Sequence, residues 1–197
     1  WAFFKRRVVW KPWKRSCGLV DLKRLVYLIS PNKIYKNFYK DLTNVLATKK
    51  VKFFQLRLKK LSSVKIIKIA LKVKKIVDKF NVKFIINDCP IIAKKVGAHG
   101  CHIGQSDASV LNTRKIIKNK IIGVTCHGSK ILAKKALLNK VEYVAFGSFY
   151  ISKLKPKAKK ANLSVLKWAK KNIKKPIVAI GGINDKNYKK LINAGAN

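Results

Sequence analysis

Apolar residues gather in short blocks separated by longer polar stretches: LVYLIS, KFFQLR, KFIIND, KIIGVT, EYVAFG and PIVAIGG. Blocks of this length, bounded by polar and turn residues, predict strands, here at 25–30, 52–57, 83–87, 99–103, 120–125, 142–147 and 176–180. Between them apolar positions recur at helical intervals, as in Val64, Ile67, Leu71, Val73, Ile76 and Val77. Pro90 suits a first helical turn, where a missing N–H is not needed, and Asp107, Ser129 and Asn184 are N-cap candidates.

Seven strands alternating with seven helices predict a parallel sheet, because parallel neighbours require crossover connections. Polar residues follow strand after strand. The expected fold is therefore an α/β (β/α)8 TIM barrel rather than an open doubly wound sheet, with its chemistry on the loops after the C-terminal strand ends. The chain stops at LINAGAN, where an eighth strand is due, so the expectation is a barrel lacking its eighth strand and last helix. The barrel domain is expected over 21–197. Residues 1–20 read as a poorly defined extension, basic and aromatic, with three of the four tryptophans and no uninterrupted apolar stretch of the secretory-signal kind.

Composition narrows the class. At 197 residues and 48% hydrophobic the chain can bury one substantial core. No block approaches the roughly 18 apolar residues of a membrane span, so no membrane partner is expected. Forty-seven basic residues against seven acidic ones give a formal charge of +40, which raises the alternative of a basic nucleic-acid-binding protein on a barrel scaffold. Lysine is spread over nearly every predicted helix, though, and a dedicated binder concentrates it on one face. Solvated helix faces are the simpler reading, and nucleic acid is not expected as the main partner. The four cysteines, Cys17, Cys89, Cys101 and Cys126, show neither CxxC pairing nor zinc-ligand spacing, which fits a reduced, cytoplasmic protein. Composition is equally compatible with a monomer and a homo-oligomer.

Against this background the rare side chains stand out. Gln55, Arg57 and Lys59 are two apart, so in extended geometry an amide and two cations project to one side, a set suited to an anionic ligand. Arginine is scarce here, and its fork can bind phosphate oxygens in a bidentate way that lysine cannot. The third strand ends in Asn87 and Asp88, and the fourth carries His102, Gln105 and Asp107 just beyond. Singly, these suit a turn residue, an interior histidine and a helix cap. Together on neighbouring strands they bring two carboxylates close, and a pair about 4 Å apart repels by about 4 kcal/mol at an effective dielectric near 20. Magnesium is the natural counter-ion, because it takes oxygen ligands and combines one or two carboxylates with substrate phosphates. Zinc is disfavoured: the histidines lack helical spacing and the cysteines do not cluster. Thr125 and His127 follow the fifth strand. Ser152 and Lys155 lie in a loop that could fold over phosphate, and Gly181 and Gly182 could expose N–H groups ahead of a helix.

These residues resemble the thiamine phosphate synthase family, over roughly residues 25 to 197. QLRLK looks like the family's QLRxK, IIND like IND, GAHGCHIGQSD like GAxGxHxGQxD, GVTCH like GxSxH, and AIGGI like AIGGI. The resemblance implies a (β/α)8 barrel that joins hydroxymethylpyrimidine diphosphate to hydroxyethylthiazole phosphate, releasing pyrophosphate, with Mg2+ as cofactor. It implies that Asp88 and Asp107 hold magnesium; that Arg57, Lys59, Asn87 and Lys155 stabilise the departing pyrophosphate; and that Thr125 donates a hydroxyl where the family usually has serine. Gln55 and His102 would orient the pyrimidine, and Gly182 and Ser152 would serve the thiazole phosphate. The family's TxTK loop stands here as Ser152, Lys153, Leu154 and Lys155, with one hydroxyl kept. A thiazole tautomerase-like paralogue, which isomerises without coupling, is the nearest alternative. It would have little use for both aspartates and the QLRxK cations.

Overall fold

The computed structural model describes the backbone of Val9–Trp10 and residues 25–151 and 160–197. Its strands are β1 (Val9–Trp10), β2 (Leu25–Ile29), β3 (Val51–Leu56), β4 (Lys83–Asn87), β5 (Gly100–Ile103), β6 (Ile121–Thr125), β7 (Tyr143–Phe146) and β8 (Ile177–Ala179). Its helices are α1 (Phe38–Ala47), α2 (Ser63–Lys79), α3 (Pro90–Lys95), α4 (Val110–Ile117), α5 (Lys130–Leu138), α6 (Ser164–Asn172) and α7 (Tyr188–Ala194). From β2 onward every strand is followed by a helix. The contacts divide into two compact units, residues 27–123 and residues 1–26 with 124–197.

In the first unit, β3 pairs in parallel with β4 (Gln55↔Ile85, Leu56↔Ile86) and β4 with β5 (Ile86↔Cys101, Asn87↔His102). The C-terminal ends of the three strands are thereby brought level. Phe54, Phe84, Leu56, Ile85 and Ile86 are fully or almost fully buried, and the Phe54 and Phe84 rings stack at 6.3 Å. Gly100 is required where β5 meets β6, since a Cβ there would lie 2.2 Å from Ile121 O. Helix α2 buries Ala70, Val73 and Val77, spaced three and four apart as one helical stripe requires. Val64 and Leu71, read from the sequence as part of that stripe, face outward instead. So do Lys65, Lys68, Lys72, Lys75 and Lys79, the solvated face that the lysine distribution predicts.

In the second unit, β7 pairs in parallel with β8 (Val144↔Ile177, Phe146↔Ala179), and Cys126 N–H donates to Ala145 O at 2.7 Å. Strand β1 pairs antiparallel with the start of β2 (Val9↔Val26). The remainder of the expected extension lies outside the described residues.

Local signals mark the helix starts. Ser62, Ser109 and Ser129 cap α2, α4 and α5 by accepting N–H groups of Lys65, Asn112 and Leu132, each a contribution of about 1 kcal/mol. Pro90 opens α3 as expected. Two N-cap expectations are corrected. Asp107 leaves the cap of α4 to Ser109, because its own carboxylate folds back onto the Gly104 N–H at 2.7 Å. Asn184 precedes a turn, and α7 starts only after Asn187. Among the described residues no helix is long and apolar enough to cross a membrane.

Candidate active site

At the end of β3 the side chains pass from interior to solvent. Gln55, on the strand, is 2% exposed and donates through Nε2 to Tyr27 OH at 2.9 Å. The strand ends at Leu56, so Arg57 and Lys59 lie beyond the reach of strand alternation and are placed by hydrogen bonds. Arg57 N–H donates to Ser30 Oγ at 2.8 Å, and Arg57 Nη1 donates to Asn32 Oδ1. Burial pulls the Arg57 pKa below its usual value, while the charge of Asp88 partly restores it. Lys59 is exposed and reaches Asp88 Oδ2 at 2.8 Å.

Asp88 follows β4 in an unusual conformation. Its φ is +66°, and Cys89 N–H donates to Asn87 O at 2.8 Å, closing a three-residue turn around it. A non-glycine residue held in the left-handed region costs of order 1–3 kcal/mol. The turn is fastened by Asp88 N–H donating to His102 O at 2.7 Å. The Asn87↔His102 register thus places both polar side chains at the level where Asp88 turns off its strand.

Asp107 stands across from Asp88. Its Oδ2 accepts the Gly104 N–H, and the two carboxyls hydrogen-bond to each other. Burial raises both carboxyl pKa values, but the outcomes diverge. At Asp88 the hydrogen bonds from Lys59 and Asp107, with the charges of Lys59 and Arg57, outweigh burial and hold it below the ordinary carboxyl value. At Asp107 burial, aided by the hydrogen bond and charge of Asp88, lifts the pKa above the ordinary value, with the Gly104 N–H and Lys59 opposing. When the pair takes up a proton, Asp107 therefore binds it before Asp88 does. Two hard-oxygen ligands pressed together in this way fit a small divalent cation, which would take the place of that proton.

Gln55, Arg57, Lys59, Asn87, Asp88, His102 and Asp107 all belong to the unit of residues 27–123, at or just beyond the ends of β3, β4 and β5. In the other unit Thr125 is the last residue of β6, and Gly181 and Gly182 follow β8. Gly182 has φ +64°, and a Cβ there would lie 2.6 Å from Tyr150 O and 2.5 Å from Ile151 O. The paired glycines let the backbone pass against the loop after β7. Their carbonyls are held by Tyr150 N–H, 3.0 Å from Gly181 O, and by Asn187 Nδ2, 3.0 Å from Gly182 O. Ser152 and Lys155 lie outside the described residues.

Sequence reasoning missed Tyr27, Ser30 and Asn32, which hold Gln55 and Arg57 in place. The signal was there: all three lie on β2 or just after it, and polar residues after a barrel strand point to the site face. Burial pushes the Cys126 thiol up to about 12 and raises that of Cys101 further.

Cations and paired carboxyls at the C-terminal strand ends of alternating β/α units define a (β/α)-barrel enzyme. The family model described as thiamine monophosphate synthase matches residues 26–197, and the chain belongs to that family, a transferase of thiamine biosynthesis. A thiamine-phosphate synthase from Pelagibacter ubique is 56% identical over 176 residues, covering 89% of this chain and 85% of that protein. Another from Clostridium acetobutylicum is 37% identical over 179 residues, covering 89% and 83%. The solved thiamine phosphate pyrophosphorylase from Pyrococcus furiosus matches with a TM-score of 0.73 at 24% identity, over 80% of this chain and 75% of that one. That likeness bears out the (β/α)8 barrel class, of which seven β/α units fall within the described residues.

Proposed function

We propose that the chain couples hydroxymethylpyrimidine diphosphate to hydroxyethylthiazole phosphate with the help of Mg2+, forming thiamine phosphate and pyrophosphate. The observation that carries this reading is the Asp88–Asp107 carboxyl pair, flanked by Lys59 and Arg57. Such a set has no evident use in isomerising a thiazole, but it suits a diphosphate leaving group.

Asp88 and Asp107 would hold the magnesium, which neutralises charge on the diphosphate oxygens. Arg57 and Lys59, with Asn87 and the Lys155 ammonium, stabilise pyrophosphate as the C–O bond breaks and both bonding electrons leave with oxygen. The pyrimidine-stabilised carbocation is then captured by the thiazole nitrogen lone pair, forming the C–N bond. No general base is required, so catalysis rests on charge placement. Gln55, fixed by Tyr27, and His102, buried on β5, orient the pyrimidine. Thr125 offers its hydroxyl from the end of β6, while the Gly182 backbone and Ser152 serve the thiazole phosphate. Free thiols at the half-buried Cys89 and the buried Cys101 and Cys126 support a reducing, cytoplasmic setting.

The test is incubation with both substrates and magnesium. Thiamine phosphate should form, and Asp88→Asn should lower turnover by about 10²–10³, as removal of a charge-stabilising group does. Isomerised thiazole without coupled product would favour a tautomerase. Unchanged turnover in Asp88→Asn would remove the metal assignment.

A further inference from the structure

We propose that Asn32 is a positioning residue for Arg57, holding the guanidinium with a neutral acceptor so that its charge stays available to a diphosphate. The inference rests on the reading of Arg57 as a diphosphate-binding group.

The segment after β2 grips Arg57 at both ends. Ser30, itself 2% exposed, accepts the Arg57 N–H at 2.8 Å and its hydroxyl lies 3.4 Å from Arg57 O. Asn32 Oδ1 then accepts from Nη1 at the far end of the side chain. Backbone and guanidinium are therefore fixed by residues two apart on one loop, and little side-chain freedom is left to lose when an anion arrives.

The chemistry of the anchor matters as much as its place. A half-buried arginine is ordinarily matched by a carboxylate, because an uncompensated charge away from water is costly. Here the hydrogen-bonding partner is an amide oxygen, which orients the fork and leaves its charge unneutralised. The negative charge that reaches Arg57 comes from Asp88, which is already engaged by Lys59 and Asp107. Arginine has five N–H donors, so the fork keeps others to offer phosphate oxygens. Aspartate in place of Asn32 would match its size and acceptor geometry but close Arg57 into an ion pair. The choice of amide over acid thus separates holding the arginine from neutralising it.

The experiment is calorimetric titration of inorganic pyrophosphate, with magnesium, into the wild-type chain and the variants Asn32→Asp, Asn32→Ala and Arg57→Ala. Thermal melting and KM and kcat for the pyrimidine diphosphate are measured in parallel. Asn32→Asp should keep the wild-type melting temperature yet weaken pyrophosphate binding about tenfold or more, the worth of a charge-assisted hydrogen bond. Asn32→Ala should raise KM by about three- to tenfold, with a smaller fall in kcat, because the fork is no longer held in its binding pose. If Asn32 serves the loop alone, Asn32→Ala will melt earlier while both variants bind pyrophosphate as wild type does, and the proposal is overturned. Arg57→Ala separates the two levels. Wild-type pyrophosphate affinity in that variant would remove the diphosphate role of Arg57 itself, whereas lost affinity there beside intact affinity in both Asn32 variants would remove only the positioning role.

Discussion

Lys59 Nζ stands 2.8 Å from Asp88 Oδ2, so in the free protein an ammonium occupies a carboxylate oxygen that a bound magnesium would need. On the magnesium assignment proposed above, metal and lysine would compete for that atom, and a bound diphosphate would offer Lys59 a second anionic partner and relieve the competition. Lys59→Gln should therefore tighten Mg2+ binding to the substrate-free protein by up to about fivefold, the size of an exposed ion pair. It should also cut turnover by about 10²–10³, since a cation facing the leaving group is lost. Calorimetry with Mg2+ alone checks the first part, and weaker metal binding in the variant would count against a shared oxygen.

Asp107 and Asp88 shift in opposite directions, which sets opposite pH dependences. The Asp107 pKa is raised above 3.8, so its contribution to stability is complete below that value and is lost as pH rises through the folded-state pKa. Asp88 is depressed, so its contribution is present above 3.8 and is lost as pH falls through its folded-state pKa. Asp107→Asn keeps the acceptor for Gly104 and a donor for Asp88 while removing the titration. In metal-free buffer near neutrality the variant should melt above wild type, and the gap should close below 3.8. A gap that does not change with pH would contradict the shared proton.

Gln55 depends on Tyr27 for its buried amide. Tyr27→Phe leaves Nε2 without this acceptor at a site that is 2% exposed. The expected cost is about 1–3 kcal/mol of stability, read by urea unfolding, with a rise in KM for the pyrimidine substrate. An unchanged KM would detach Gln55 from pyrimidine orientation.

Gly182→Ala places a Cβ 2.6 Å from Tyr150 O at φ +64°. The strain should remove about 1–3 kcal/mol of stability, visible as a lower melting temperature. Affinity for the thiazole phosphate should fall further than affinity for the pyrimidine diphosphate.

Much of the frame was legible in the chain. The block predicted at 83–87 is β4 as found, and the other blocks fall within about a residue of their strands, because short apolar runs between helical segments have few other ways to bury themselves. The Ser129 cap and Pro90 were equally local. The failures have a common cause. Asp107 follows a strand and precedes a helix as a cap does, but its carboxylate turns back to Gly104 and across to Asp88, a partner 19 positions away. Val64 and Leu71 keep helical spacing yet point outward, since the neighbouring elements lie against Ala70, Val73 and Val77.

What the sequence determined by itself is the alternation of strand and helix, and the set of acids, cations and glycines that follow the strands. Those depend on period, turn chemistry and residue type, which are properties of neighbours in the chain. Which side chains hold one another was decided only by the tertiary structure. The links from Tyr27 to Gln55, Asn32 to Arg57 and Lys59 to Asp88 each join residues 25 to 29 positions apart. Such partners meet because parallel pairing brings strand ends level, and that proximity leaves no local trace along the chain.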